Sequence, residues 1–482
     1  MLEARLTINN NDADASDSAH FERNDAHSGK VVTPVAYAKV ADAESAANAA
    51  AAAFPEWAKM PPTERRKILL KGADLLESRV DDFAASTIAE TGATEHWARY
   101  NVQLGAAILR EAASMTTQVT GDVIPADREG TLSMAIRQPV GVVLGIAPWN
   151  AAVTLGVRAI AAPLACGNTA ILKASELCPQ THRLIGEVLC AAGLPEGVLS
   201  VITNAPDDAK AVVDALIEHP TVRRVNFTGS TRVGHMIAET CARYFKPCVL
   251  ELGGKAPLLV LADADLDEAV KATAFGAFMN QGQICMSTER VIVDDSVADL
   301  FVDKLTAKTA TMKAGGPQSG SVLGSLVSAE AAMRVKNLVD DAVAKGASLR
   351  VGGKVDGSIM EATVLDHVTS AMTIYKEESF GPVVSVIRTQ TVDEAVSIAN
   401  DTEYGLSAAI FSRDVSRALE IAQRIESGIC HINGPTLYDE AQMPFGGIKD
   451  SGYGRMGGKA GLEEFTELRW ITIQTKAQDY PI

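Results

Sequence analysis

One cysteine of this chain stands in a setting suited to a nucleophile. Cys285 lies in Asn280-Gln281-Gly282-Gln283-Ile284-Cys285-Met286-Ser287, a glycine-containing turn whose small polar neighbours can present a thiol to a ligand. A second motif upstream, Glu251-Leu252-Gly253-Gly254-Lys255-Ala256-Pro257, places a carboxylate at the opening of a Gly-Gly turn. A free cysteine is more often a small buried hydrophobe, so the pairing carries the argument. A thiolate is a strong nucleophile even when sparsely populated, and a neighbouring base can activate the thiol first and a water afterwards. The eight histidines cluster nowhere, and His219 and His235 are remote from Cys285 in sequence. That disfavours Cys-His chemistry and leaves a Cys-Glu arrangement, which only the fold can assemble.

The elements that must position these residues follow from the apolar pattern. Residues 1–20 are polar and weakly patterned, as expected of a frayed tail or a short edge hairpin. Helix is expected from about Asp42 through the Ala-rich run to Phe54. A second helix follows Pro61-Pro62, from Thr63 to Glu77, with Ile68, Leu69, Ala73, Leu75 and Leu76 at helical spacing. Another starts at Asp81 and stops at Gly92, and helix resumes through Trp97 to about Met115. Between Gly121 and Arg137 the pattern becomes two strands around a turn, a hairpin whose free edges call for a partner.

Residues 138–157 carry no charge and have the length of a membrane span. Pro148, Asn150 and the arrival of Arg158 favour instead a buried parallel strand, a turn and a helix, with Thr169 to Leu172 completing a β-α-β unit. Asn150 is then either a helix N-cap or a neutral donor aimed at developing negative charge. Lys173-Ala174-Ser175-Glu176 follows the second strand, as a surface loop capped by Ser175 or as a carboxylate placed for ribose hydroxyls. Phe227-Thr228-Gly229-Ser230-Thr231-Arg232-Val233-Gly234 leads from a strand, Val222 to Asn226, into a helix reaching about Tyr244. Its N–H groups and helix dipole can meet a pyrophosphate. From Arg290 to Gly428 strands and helices alternate again, giving a second α/β unit. That unit contains the acidic turn Lys376-Glu377-Glu378-Ser379-Phe380-Gly381-Pro382-Val383, where Pro382 breaks helix. A glycine-rich loop, Pro444 to Arg455, could line a substrate mouth.

Composition narrows the class. The 482 residues, 47% hydrophobic and 22% charged, describe a soluble protein of two or three domains. A net charge of −16 argues against nucleic acid, whose phosphates need a basic face. Seven cysteines without a C-x-x-C pair read as reduced thiols of a cytoplasmic protein. No ligand set at zinc spacing is present, so no metal is expected. The first residues lack a basic flank followed by an apolar core, so neither a secretory signal nor membrane attachment is expected.

Taken together and in this order, the motifs resemble those of the NAD(P)-dependent aldehyde dehydrogenase superfamily, over nearly the whole chain. The resemblance implies an α/β fold with a Rossmann-type cofactor domain (1–119 and 138–252), an α/β catalytic domain (253–468) and small β oligomerisation elements (120–137 and 469–482). The last would contain a strand at Trp470 to Thr475. It implies Cys285 as nucleophile, Asn150 with a backbone amide as oxyanion donors, and Glu251 as the base that hydrolyses a thioester. A base at 251 separates this pattern from acylating relatives that pass the acyl group to coenzyme A. For the cofactor it implies Trp149, Lys173, Glu176, Phe227, Gly229, Ser230, Thr231, Gly234, Leu252, Glu378 and Phe380. Glu176 leans towards NAD over NADP.

Many members have Phe-Pro after the Asn and an aromatic eight places beyond it. Here Ala151-Ala152 and Arg158 stand there, which opens room for a wide ring. Arg158 would attract a phenolate or ortho-hydroxyl, or else pair with a structural carboxylate. The run from Pro148 to Arg158, with Pro163 to Asn168, resembles the aromatic-aldehyde branch: salicylaldehyde, vanillin and benzaldehyde dehydrogenases. Salicylaldehyde is the expected substrate, with Trp97, Tyr438 and Phe445 as candidates for stacking on the ring. A succinate-semialdehyde or aliphatic dehydrogenase is the alternative, and a non-catalytic protein on the same fold the remote one. Met456 replaces a Glu that relays protons in many members, which leaves the deacylation route open. A homodimer or homotetramer is expected.

Overall fold

Two parallel sheets carry the chain, each built from short apolar runs covered on both faces. The computed structural model describes residues 3–317 and 319–482. In the first sheet the strands Leu199–Ile202, Thr169–Lys173, Val142–Ile146, Val222–Thr228 and Cys248–Glu251 lie side by side and parallel. Successive residues serve opposite faces, as a pleat demands. Val143, Ala170 and Leu172 enter one core, and Val142, Leu144 and Ile171 the other. The chain moves outward from Val142–Ile146 to Leu199–Ile202, then returns to the far side of Val142–Ile146 at Val222. That reversal opens a crevice at the carboxyl ends of the strands, the usual place for a dinucleotide.

The second sheet runs Ser348–Val351, Thr363–Asp366, Val383–Thr389, Thr288–Asp294, Ala256–Val260, Ser407–Phe411 and Ile429–Ile432, parallel except at Ser348–Val351. A third sheet pairs Thr131–Pro139 with Gly121–Ile124 on one edge and Thr466–Gln474 on the other. The C-terminal strand therefore starts four residues before the expected Trp470 and ends at Gln474.

The N-terminal segment is a hairpin rather than a frayed tail. Leu6–Ile8 and Asn11–Ala13 pair through Asn9 and Asn10, both left-handed (φ 52° and 58°), the conformation that a two-residue hairpin turn requires. Thr7 pairs with Val201, so the hairpin closes one edge of the first sheet. A second hairpin, His20–Asn24 with Val31–Ala36, had no clear period in the sequence. The Ala-rich helix spans Val40–Lys59 and runs through Pro55. The fully buried Trp57 anchors the turn beyond the proline, so tertiary packing overrides the local penalty. The next helices, Pro62–Ser78, Val80–Thr91 and Glu95–Met115, fall within a few residues of expectation, and Gly92 ends the third in the left-handed conformation (φ 74°). Among the described residues no helix is long and apolar enough to cross a membrane.

Candidate active site

Sheet register is what joins the two opening motifs. Glu251 is the last residue of the fifth parallel strand of the first sheet. The chain then crosses by Gly253-Gly254 into the second sheet, where Ala256 pairs with Thr288. Cys285 precedes Thr288 by one tight loop, so pairing of two neighbouring strands draws the carboxylate and the thiol together. A Cβ on Gly254 would lie 2.3 Å from the carbonyl oxygen of Cys285. Only glycine permits that approach.

The loop before Cys285 is wound into an uncommon conformation and pinned there. Asn280, Gln281 and Gly282 all have positive φ (48°, 57° and 71°), which is costly for side-chain-bearing residues. Buried amides hold them. Gln281 donates to the Ser325 carbonyl (2.9 Å) and accepts from the Gly324 N–H (3.0 Å). Gln283 Oε1 accepts from the Val327 N–H (3.0 Å), and Ser287 Oγ donates to the Gly282 carbonyl (3.1 Å). Asn280, Gln281 and Gln283 were missed as positioning residues, although their amide-rich run is visible in the sequence.

Asn150 is not an N-cap. The helix Ala152–Ala165 takes Ala151 at that position, without a side-chain cap. Asn150 Nδ2 instead donates to the Gln283 carbonyl at 2.9 Å, and its own carbonyl accepts from Trp97 Nε1 and Asn280 Nδ2, both at 2.9 Å. This ties the residue to the cysteine loop while the second N–H of its amide remains for another acceptor.

Two cavities meet at this point. One is lined by Trp149, Gly229, Ser230, Glu251, Leu252 and Phe380, among others, and the second by Trp97, Tyr100, Leu155, Arg158, Tyr438 and Phe445; Asn150, Leu155 and Cys285 belong to both. Cys285 thus stands at a junction, half-buried. Glu251 is buried, and neither of its carboxylate oxygens has a hydrogen-bond partner. Burial pushes its pKa up to about 8, with Cys285 pulling it partly back. Burial also raises the Cys285 thiol well above its ordinary value, and the nearby Glu251 adds to this. The two groups are therefore set to be neutral together, and the thiol must lose its proton as substrate and cofactor engage.

The first cavity opens at the carboxyl ends of the first sheet's strands, in the crevice where a dinucleotide is expected. Ser230 caps the helix Thr231–Arg243, accepting from the Val233 N–H, so free N–H groups face the crevice. A Cβ on Gly229 would lie 2.4 Å from the Phe227 ring, one on Gly234 2.5 Å from Leu252, and one on Gly253 2.9 Å from Glu378. These glycines let the Phe227, Leu252 and Glu378 side chains pack directly against the backbone along this wall. Glu378 Oε1 accepts the Gly254 N–H (2.9 Å). Trp149 and Phe380 meet edge to face at 5.9 Å, and Phe380 has a positive φ (45°). Glu289 secures that turn by accepting from the N–H groups of Ser379 and Phe380. Lys173, at the end of its strand, lies 3.5 Å from Glu176. These two, with Phe227 in the strand Val222–Thr228 and Thr231 and Gly234 in the first turn of the helix that follows it, lie outside the lining of this cavity.

The substrate-side cavity, about 240 Å³, exceeds the roughly 150 Å³ in which an engineered apolar cavity holds benzene. Trp97, Tyr438 and Phe445 all line it. So does Arg158, but its Nη2 is 2.6 Å from Asp439 Oδ2 and its guanidinium carbon lies 4.8 Å from the centre of the Phe445 ring. Of the two readings of Arg158, the paired one is realised in this structure. Nothing local in the sequence marks Asp439 as a cavity residue. Met456 is buried in the main core and pairs with Phe445 through the backbone, and its thioether has no proton to relay to Glu251. Among the described residues Glu3, Asp14 and His20 are the only candidate metal cluster, exposed and far from the site in sequence, and Arg5 already lies within 3.6 Å of both carboxylates.

Known proteins resemble the chain throughout. The family model described as "Aldehyde dehydrogenase family" matches residues 13–471. Vanillin dehydrogenase of Pseudomonas sp. strain HR199 is 62% identical, and salicylaldehyde dehydrogenase of Pseudomonas sp. strain C18 is 50% identical, each over 100% of both chains. The crystal structure of a salicylaldehyde dehydrogenase from Pseudomonas putida G7 complexed with salicylaldehyde superposes with a TM-score of 0.98, at 49% identity and full coverage of both chains.

Proposed function

The chain belongs to the aldehyde dehydrogenase family, and from that premise we propose that it oxidises single-ring aromatic aldehydes with NAD, hydrolysing the acyl-enzyme. The observation that carries this is the junction of two cavities at Cys285 and Asn150, one glycine-walled and one lined by rings. A ring-lined wall contacts a planar substrate over its whole face. Ala151, where a Phe would narrow the space, borders the same cavity. Vanillin is the substrate we favour, in line with the 62% identity to a vanillin dehydrogenase. Salicylaldehyde, expected from the sequence, is the second reading and has the full-length structural likeness behind it.

In the proposed cycle Cys285 gives its thiol proton to water in the cavity as Sγ bonds to the aldehyde carbon, and the free N–H of Asn150 with the Cys285 backbone N–H receives the oxyanion. When bound, the nicotinamide ring supplies the hydride acceptor that converts the thiohemiacetal to a thioester. Glu251, once deprotonated, takes a proton from water as the water's oxygen bonds to the thioester carbon. The C–S bond breaks, the carboxylic acid leaves as product, and the departing sulfur takes the proton from Glu251, which restores the thiol. With Met456 in place of a relay carboxylate, Glu251 exchanges its proton with water in the cavity.

Glu176 supports NAD over NADP, since a carboxylate accepts from both ribose hydroxyls and repels a 2′-phosphate. The third sheet supports a homo-oligomer: Val123, Leu468 and Trp470 on it are more than half exposed in the single chain, an apolar surface that association would cover. The test of the main reading is kcat/KM for vanillin, salicylaldehyde, benzaldehyde, succinate semialdehyde and acetaldehyde, with NAD and NADP, in wild type and Arg158→Ala. Preference for the benzaldehydes with NAD is the expected result. Preference for succinate semialdehyde, abolished in Arg158→Ala, would overturn the aromatic assignment and leave the family chemistry intact.

A further inference from the structure

The substrate-side cavity holds one buried ion pair, and half of one partner is unused. Arg158 and Asp439 have side chains only 7% and 9% exposed, and they meet through Nη2 and Oδ2. Asp439 Oδ1 is buried and has no hydrogen-bond partner in the protein, although Asp439 is part of the cavity wall. Several other polar side chains of that wall are committed. Thr154 Oγ1 donates to the Asn101 carbonyl, the Tyr438 hydroxyl to Glu440, and Trp97 Nε1 to the Asn150 carbonyl. The rest of the wall includes the apolar Leu104, Leu155, Phe275, Met279 and Phe445 together with the polar-edged His96 and Tyr100.

An ionised carboxylate oxygen without a partner in an apolar wall is costly, and a ligand that donates one hydrogen bond there relieves the cost. We propose that Asp439 is a specificity-determining residue whose Oδ1 accepts the hydrogen of a ring hydroxyl on the aldehyde substrate, while Arg158 holds Oδ2. This rests on the aromatic reading above and adds the class of ring it takes: a hydroxybenzaldehyde, bound as the neutral phenol. Arg158 alone would favour a phenolate, but its charge is already matched, and Asp439 repels a second anion. Arg158 is then a positioning residue, fixed by Asp439 on one side and Phe445 on the other. Discrimination of this kind is strong, because a substrate without the donor leaves the carboxylate oxygen unpaired in the complex.

The experiment compares hydroxybenzaldehydes with methoxybenzaldehydes at the 2, 3 and 4 positions, pairs alike in shape that differ in the donor. The quantity read is the hydroxy-to-methoxy ratio of kcat/KM, in wild type and in Asp439→Asn. In the variant the amide oxygen faces Arg158, so an N–H group replaces the free acceptor. For at least one ring position the wild-type ratio is expected to favour hydroxyl, and to fall by about tenfold or more in the variant, the weight of a hydrogen bond to a charged group. The position that responds identifies the hydroxyl bound. Ratios unchanged at all three positions, with every substrate slowed in parallel, would assign Asp439 a merely structural role and overturn the proposal. Should Asp439→Asn fail to fold, inhibition of the wild-type enzyme by phenol and by anisole decides: tighter binding of phenol supports the proposal and equal binding overturns it. Failure of the aromatic reading itself looks different, as turnover of aliphatic aldehydes with none of any benzaldehyde.

Discussion

Replacing Glu251 by Gln should make the protein more stable and stop it after one turnover. The carboxyl is buried without a hydrogen-bond partner, and its pKa rises from an ordinary 4.5 to about 8. In the unfolded chain the group ionises near its ordinary value, so folding at pH 7 must hold it protonated against solution. That costs roughly 3 kcal/mol at about 1.4 kcal/mol per pH unit. A folded pKa above the unfolded one means that the penalty is absent below pH 4.5, grows as pH rises, and levels off at roughly 5 kcal/mol above the folded pKa. Glu251→Gln keeps the shape and removes the ionisation. Its gain over wild type should be negligible at pH 4.5, about 3 kcal/mol at pH 7 and largest at pH 9.

Paired thermal melts at these pH values, at one protein concentration and scan rate, measure the difference. A stability difference that stays flat with pH would refute the buried, neutral carboxyl. In the same variant, rapid mixing with NAD and a benzaldehyde should give a burst of about one NADH per site and then stop, with the acyl group retained on Cys285. Steady turnover at the wild-type rate would show that another group activates the water. In wild type, a hydrolysis step that needs ionised Glu251 should speed up as pH rises through about 8.

Two further outcomes follow from the same geometry. Asn150→Ala should lower kcat by about 10²- to 10³-fold with little change in KM, because the lost donor serves mainly the oxyanion; a pure KM effect in steady-state kinetics would argue against that role. Ala151→Phe should fill the cavity beside Asn150 and reduce kcat/KM for benzaldehydes by about tenfold or more while sparing acetaldehyde. A parallel loss for both substrates would show that Ala151 does not set ring access.

What was legible in the sequence was local. Amphipathic spacing marked the helices from Val40 to Met115, uncharged runs marked the buried parallel strands, and glycines at 92, 253 and 254 marked turns that side chains could not make. The motifs around Cys285, Glu251, Asn150, Ser230 and Phe380 were readable because each is contiguous and its backbone demands particular residue types. The N-terminal hairpins were less so, since short edge strands have too few residues to display a period. The tertiary structure alone decided three things. Pairing of Ala256 with Thr288 puts Glu251 beside Cys285, and burial there leaves its carboxylate unpartnered. The helix beginning at Ala152 takes Asn150 out of the capping position and turns its amide to Gln283. Arg158 meets Asp439 across the cavity wall, a contact between distant segments that no local pattern encodes. Such contacts depend on how two sheets register against each other, and their energies come from burial and unmatched charge, which exist only once the chain has closed around them.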